Sequence, residues 1–149
     1  MGMPEYRQVI EAYCEKAGIA DVDAVLLHGA IKVRGLPVWL QYFEPADLCR
    51  VVLDLGAPDA GIPPQVWRAM LESNCSNRSN SLPFLAINPL DGHAILILHL
   101  AISRILQEDD FPEWLDEHLA PAIEAWQRAF AGLESVADTG QFKFGAGFA

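Results

Sequence analysis

The run LDLGAPDAGIPPQVWRAMLESN, Leu53 to Asn74, holds the sharpest change of pattern in the chain. A strand runs out at Leu55, and Gly56, Pro58, Gly61, Pro63 and Pro64 then forbid regular structure for several residues. A helix starts near Pro64, because proline's missing N–H and preset φ suit a first turn, and it ends around Asn74. Its apolar residues Val66, Trp67, Met70 and Leu71 share one stripe. So short a helix is marginal alone, since nucleation is costly. It is expected because the stripe is buried, with strands before and after it.

Upstream, three strands are expected. Ala30 to Arg34 sets Ile31 and Val33 against Lys32 and Arg34, and Gly35-Leu36 reads as a tight turn. Pro37 to Phe43 carries Val38, Leu40 and Tyr42 on one face, with Trp39, Gln41 and Phe43 on the other. Leu48 to Leu55 sets Cys49, Val51, Leu53 and Leu55 against Arg50 and Asp54. Short connections imply an antiparallel meander. Ahead of it, Pro4 to Ala17 is an amphipathic helix with the stripe Tyr6, Val9, Ile10, Tyr13, Cys14 and Ala17, ended by Gly18.

Downstream, Ser73 to Ser81 has loop composition. Leu82 to Ile87 and His93 to Ile102 read as strands joined by the hairpin loop Asn88-Pro89-Leu90-Asp91-Gly92. The second of these is apolar on both faces, which marks a central or covered strand. A last helix runs from about Pro112 to Leu133, with Leu115, Leu119, Ala122, Ile123, Trp126, Phe130 and Leu133 as its stripe. Asp109 and Asp110 cap its start, and Pro121 predicts a kink or restart near Ala120. The expected fold is one α+β domain over residues 1–133, ordered helix, three strands, helix, two strands, helix. Its antiparallel twisted sheet has flanking helices. Residues 134–149 form a tail with Gly and Phe142, Phe144 and Phe148, expected to be mobile.

Ten Lys and Arg against twenty Asp and Glu leave a formal net charge of −10 and a pI near 4.6. Nucleic-acid phosphates and anionic membrane surfaces repel such a chain, so neither is an expected partner. The hydrophobic fraction of 52% has two readings. One is a well-filled core under an acidic exterior; the other is apolar surface in excess of the core, kept soluble by like-charge repulsion. The three cysteines, Cys14, Cys49 and Cys75, form no C-x-x-C and suit a reducing cytosol. The N-terminal MGMPEYRQ is unlike a signal peptide, and Ala94 to Ile102 is too short to cross a bilayer. A soluble intracellular protein is expected.

Catalysis needs convergent polar groups, and the sequence offers few. His28, His93, His99 and His118 never fall in H-x-x-x-H spacing. His93 and His99 share a strand face but stand too far apart to hold one ion. Cys14 and Cys49 lie on apolar stripes, where a thiol is structural. Asp109, Asp110, Glu113, Asp116 and Glu117 form an acidic, solvated helix start. No phosphate-cradling glycine motif occurs. No catalytic, cofactor or metal site is therefore expected, and the chain reads as a non-enzyme. Binding remains, and an open sheet edge suits an extended peptide.

The motifs, taken in order, resemble the CesT (Tir chaperone) family, the class I chaperones of bacterial type III secretion. Leu53-Asp54-Leu55-Gly56-Ala57-Pro58, followed by Trp67 to Asn74, is similar to the family's "LG-x-x-P" and "LLEAN". Leu85 to His93 is similar to its "LGLDPETGRV", and Ile31 to Val38 fits its first hairpin. The likeness spans about Tyr6 to Leu133. It departs at Asn88, at the Ser- and Asn-rich Ser76 to Ser81, and in the Phe-Gly tail. The resemblance implies a cytoplasmic bacterial homodimer, without ATP, cofactor or catalysis. It would hold the N-terminal segment of a secreted effector in extended, partly unfolded form. By the same resemblance Val66, Trp67, Met70, Leu71, Ile95 and Ile97 form the dimer interface. Tyr6, Ile10, Tyr13, Ile31, Val33, Leu40 and Tyr42 then line effector-binding grooves. A regulatory or sensory binding module of the same fold is the alternative.

Overall fold

In the alternating stretches, residue by residue, one side chain is buried and the next is not, and this pleat builds a five-stranded sheet. The computed structural model describes residues 2–76, 83–105 and 110–136. The order is α1 (Met3–Ala17), α2 (Val22–His28), β1 (Ala30–Val33), β2 (Leu36–Phe43), β3 (Leu48–Gly56), α3 (Pro64–Ser76), β4 (Phe84–Ile87), β5 (Ala94–Ala101), α4 (Ile102–Ile105) and α5 (Phe111–Val136). A single 3-10 turn, Glu44–Ala46, joins β2 to β3. The α+β class and the antiparallel sheet agree with expectation.

Two short helices go beyond the expected order. The Asp21 carboxylate accepts the Ala24 N–H at 2.9 Å to open α2, and Gly29 closes it in the left-handed region at φ 66°. At the end of β5 the Asp47 main-chain carbonyl accepts the Ile102 N–H, and its carboxylate accepts that of Ser103. Capping by Asp47 turns the apolar run into α4 after Ala101. The first hairpin also turns one residue earlier than expected. Val33 pairs with Leu36, and the turn residues are Arg34 and Gly35, at φ 49° and 80°. A two-residue turn whose twist matches the strands needs positive φ at both positions.

Strand order is β1-β2-β3-β5-β4, antiparallel throughout. The first three strands form the expected meander. β5 then pairs with β3, which makes it central and leaves β4 at an edge. On the inward face Val38, Leu40, Val51, Leu53, Leu96 and Leu98 join a core closed by α1 and α5. From α1 come Tyr6, Val9, Ile10, Tyr13 and Cys14; from α5 come Phe111, Leu115, Leu119, Ile123 and Trp126. Tyr6 stacks on Tyr42 with ring centroids 4.6 Å apart.

α5 runs as one helix through Pro121 and on to Val136, three residues beyond the expected end. The Arg34 guanidinium grips Asp116 with two N–H···O bonds of 2.8 and 2.9 Å and reaches Glu124 at 3.3 Å. Lys16 of α1 pairs with Asp110 just before α5. These contacts register α5 on the first hairpin and on α1. The side chains of Phe130 and Leu133, the loop at 77–82 and the tail at 137–149 lie outside the described residues.

Candidate functional site

Helix α3 divides its expected stripe in two. Val66 and Met70, one turn apart, are buried in the core. Trp67 and Leu71, one position further round, face outward at 47% and 68% exposure. The helix is held over β4 by Asn74, whose carboxamide both donates to the Leu85 carbonyl and accepts the Leu85 N–H, each at 2.8 Å. The expected open sheet edge is thus occupied at its centre on the β4 side.

The sheet's second face leaves several large apolar side chains exposed. Cross-strand partners Trp39, Val52, Ile97 and Phe84 line up across β2, β3, β5 and β4. Trp39 and Phe84 at the ends of the row are 41% and 38% exposed, while Ile97 between them is buried yet stands outside the main core. Phe43, further along β2, is also exposed. The adjacent row is Gln41, Arg50 and His99, with the imidazole of His99 stacked near the Phe84 ring. The Arg50 Nε is buried and has no hydrogen-bond partner. An unsatisfied buried donor costs roughly 1–3 kcal/mol. Burial and the charge of Arg50 together hold His99 below the usual imidazole range.

A groove of about 530 Å³ begins between the C-terminal half of α1 and β1 and passes over the sheet edge to Trp39. Its walls are Tyr13, Ala17, Ile19, Ala30, Ile31, Lys32, Pro37, Val38 and Trp39. The Tyr13 hydroxyl donates to the Lys32 carbonyl at 3.3 Å, which fixes one wall against the other. The groove and this second face therefore meet at Trp39.

Of the residues assigned to effector grooves, Tyr6, Ile10, Tyr13, Ile31, Val33 and Leu40 are buried within the single chain, and Tyr42 is half-buried. Only Tyr13 and Ile31 also line the groove. Of those assigned to the dimer interface, Val66, Met70 and Ile97 are buried and Ile95 is half-buried; Trp67 and Leu71 are free to meet a partner. Trp39, Phe43 and Phe84 were not assigned to a site. The signal for the first two was the large apolar residue on the polar face of an alternating strand.

Among the described residues, one group of carboxylates and imidazole converges within 4.8 Å: Asp54, Asp91 and His93. His93 Nδ1 lies 3.0 and 3.1 Å from the two Asp54 oxygens and 3.8 Å from Asp91. The hydrogen bond to Asp54, aided by both negative charges, raises the His93 pKa above the ordinary imidazole value. A shared proton accounts for this geometry and ties the β4–β5 hairpin to the end of β3. Burial pushes the Cys49 thiol up to about 12 and raises that of Cys14 as well, so both are poor nucleophiles. No helix among the described residues is long and apolar enough to cross a membrane.

No family model matches the sequence, and no curated protein matches it. Solved structures do. A chain of the ExsC–ExsE complex superposes with a TM-score of 0.64 at 13% identity, covering 86% of this chain and 96% of that one. A chain of the HopA1–SchA chaperone–effector complex gives 0.52 at 14% identity, covering 84% and 94%. The α+β fold that the CesT-like motifs lead one to expect is the fold observed, and it is shared with chains of these two complexes.

Proposed function

We propose that this chain is a type III secretion chaperone. As a homodimer it holds the N-terminal segment of an effector in extended, partly unfolded form in the bacterial cytosol and keeps it soluble for secretion. The observation that carries this reading is the apolar groove that runs from α1 over β1 to Trp39, on a fold shared with a chaperone–effector complex. A groove of that shape takes an unfolded segment along its length and asks no secondary structure of it. The net charge of −10 opposes self-association of the exposed Trp39, Phe43, Trp67 and Leu71 while the groove is empty. Effector side chains meet Tyr13, Ile31 and Trp39, and the rest of the assigned groove residues support them from the core. Two copies join through the outward side of α3, at Trp67 and Leu71. The role is one of binding and involves no catalysis.

The test is affinity capture of the tagged chain from its native host while secretion genes are expressed, with partners identified by mass spectrometry. One dominant partner, retained through its N-terminal segment by two copies of this chain, is the expected result. A homodimer that captures no partner overturns the chaperone reading in favour of a regulatory or sensory module.

A further inference from the structure

Beyond the end of α5 the chain reads Gln141-Phe142-Lys143-Phe144-Gly145-Ala146-Gly147-Phe148. In an extended segment successive side chains point to opposite sides. Phe142, Phe144, Ala146 and Phe148 then share one side, and Gln141, Lys143 and two glycines take the other. Such a segment suits an apolar groove into which it lays one side. α5 ends at Val136, about 18 Å of helix beyond Glu124, and Glu124 is held at Arg34 in the turn of the first hairpin. The nearest groove walls, Lys32 and Pro37, are paired two residues from that turn, about 7 Å at strand rise. The way back from Val136 to the groove is thus on the order of 30 Å. Phe148 stands far enough along the chain to span up to about 40 Å.

Building on the chaperone reading, we infer that residues 139–149 cover this chain's own groove and yield it to a client. Phe148 enters between Ile19 and Ile31, and Phe144 follows at the mouth formed by Lys32 and Pro37. Charge permits this occupant. The chain has twice as many acidic as basic residues, but the one charged side chain from 139 to 149 is that of Lys143, so an acidic surface does not repel the segment. Tethering supplies what affinity need not. A segment on a short linker has an effective concentration of about millimolar, so a contact of only millimolar strength covers the groove for about half the time or more. A client then binds with its intrinsic affinity reduced by the open fraction. Like-charge repulsion guards the open groove, and the tail guards it for the rest of the time. A second copy has no tether and brings its own acidic surface.

The test compares the full chain with a variant carrying Phe142→Ser, Phe144→Ser and Phe148→Ser. The magnetic resonance signals of the Ile19 and Ile31 methyls and of the Trp39 indole are expected to differ between the two. A spin label on Gly147→Cys, in a Cys75→Ser background, is expected to broaden the same signals within its own chain. Added in trans, a synthetic peptide of residues 139–149 is expected to bind the serine variant roughly twofold or more tighter than the wild type. Ala17→Glu, on an exposed groove wall, is expected to weaken that binding. Unchanged signals, no broadening, or a peptide that binds both chains equally or neither overturns the inference. So does broadening that appears only across mixed dimers, which would put the tail in the second copy's groove. A captured client held equally by wild type and serine variant leaves the chaperone reading intact and removes this one. A tail seated in the groove of a chain that captures no client upholds the contact and removes the chaperone reading.

Discussion

The Asn74 side chain is bound to the main chain of Leu85 by two hydrogen bonds of 2.8 Å, and so takes the place of a neighbouring strand on the outer side of β4. Asn74→Ala strands a donor and an acceptor that are partly buried. A loss of about 2–3 kcal/mol in urea unfolding is expected. Asn74→Asp keeps the acceptor and loses the donor, and is expected to fall between the two.

Trp67 and Leu71 are exposed, so a charge there leaves the fold of the single chain intact. Light scattering after size exclusion is expected to show a wild-type dimer. Trp67→Glu and Leu71→Glu each weaken it by about 2 kcal/mol or more, roughly thirtyfold in the dimer dissociation constant. An unchanged dimer of a well-folded Trp67→Glu chain would sink the assignment of α3 to the interface.

Gly29 and Gly35 separate two costs of a side chain at positive φ. A Cβ on Gly29 would stand 2.1 Å from the Leu40 carbonyl oxygen, whereas one on Gly35 meets nothing. Gly35→Ala is expected to cost about 1 kcal/mol from backbone conformation alone. Gly29→Ala is expected to cost upwards of about 2 kcal/mol, because the strand β2 must shift as well. Chemical denaturation of both variants checks the difference.

The His93–Asp54 pair makes stability depend on pH in a defined direction. The folded pKa of His93 is raised, so the native chain binds this proton more tightly than the unfolded one. The contribution is complete below the ordinary value of 6.5 and fades as pH climbs through the raised one. Asp54→Asn should therefore destabilise more at mildly acid than at mildly alkaline pH. Parallel melts at the two pH values check this, and an equal loss at both would refute it. The pair is partly exposed, so the effect is small.

Alternation made the strands legible, and Pro64 and Gly18 placed helix ends to within two residues of those observed. What alternation does not carry is which of two apolar faces a helix will cover. Leu40 and Trp39 are both large and apolar, and only the packing of α1 and α5 sends the first inward. The β3–β5 pairing joins distant segments, with Val52 paired to Ile97, 45 residues along the chain. No local pattern encodes it. α2 left its caps in the sequence, at Asp21 and Gly29, but only Val25 of its seven residues is buried, too little for a periodic stripe. Arg50 read as an ordinary polar-face residue, because its missing partner is a property of the assembled sheet.

Both outer strands are four residues long, and each has a side chain seated on its backbone: Asn74 on Leu85 of β4 and Tyr13 on Lys32 of β1. A filament that grows by sheet-to-sheet pairing needs a run of vacant donors and acceptors on opposite sides of every subunit. This chain has the run interrupted at Leu85 on one side and at the Lys32 carbonyl on the other. It can display tryptophan and phenylalanine to a partner without becoming a template for its own copies, so occupancy is bounded by stoichiometry rather than by growth.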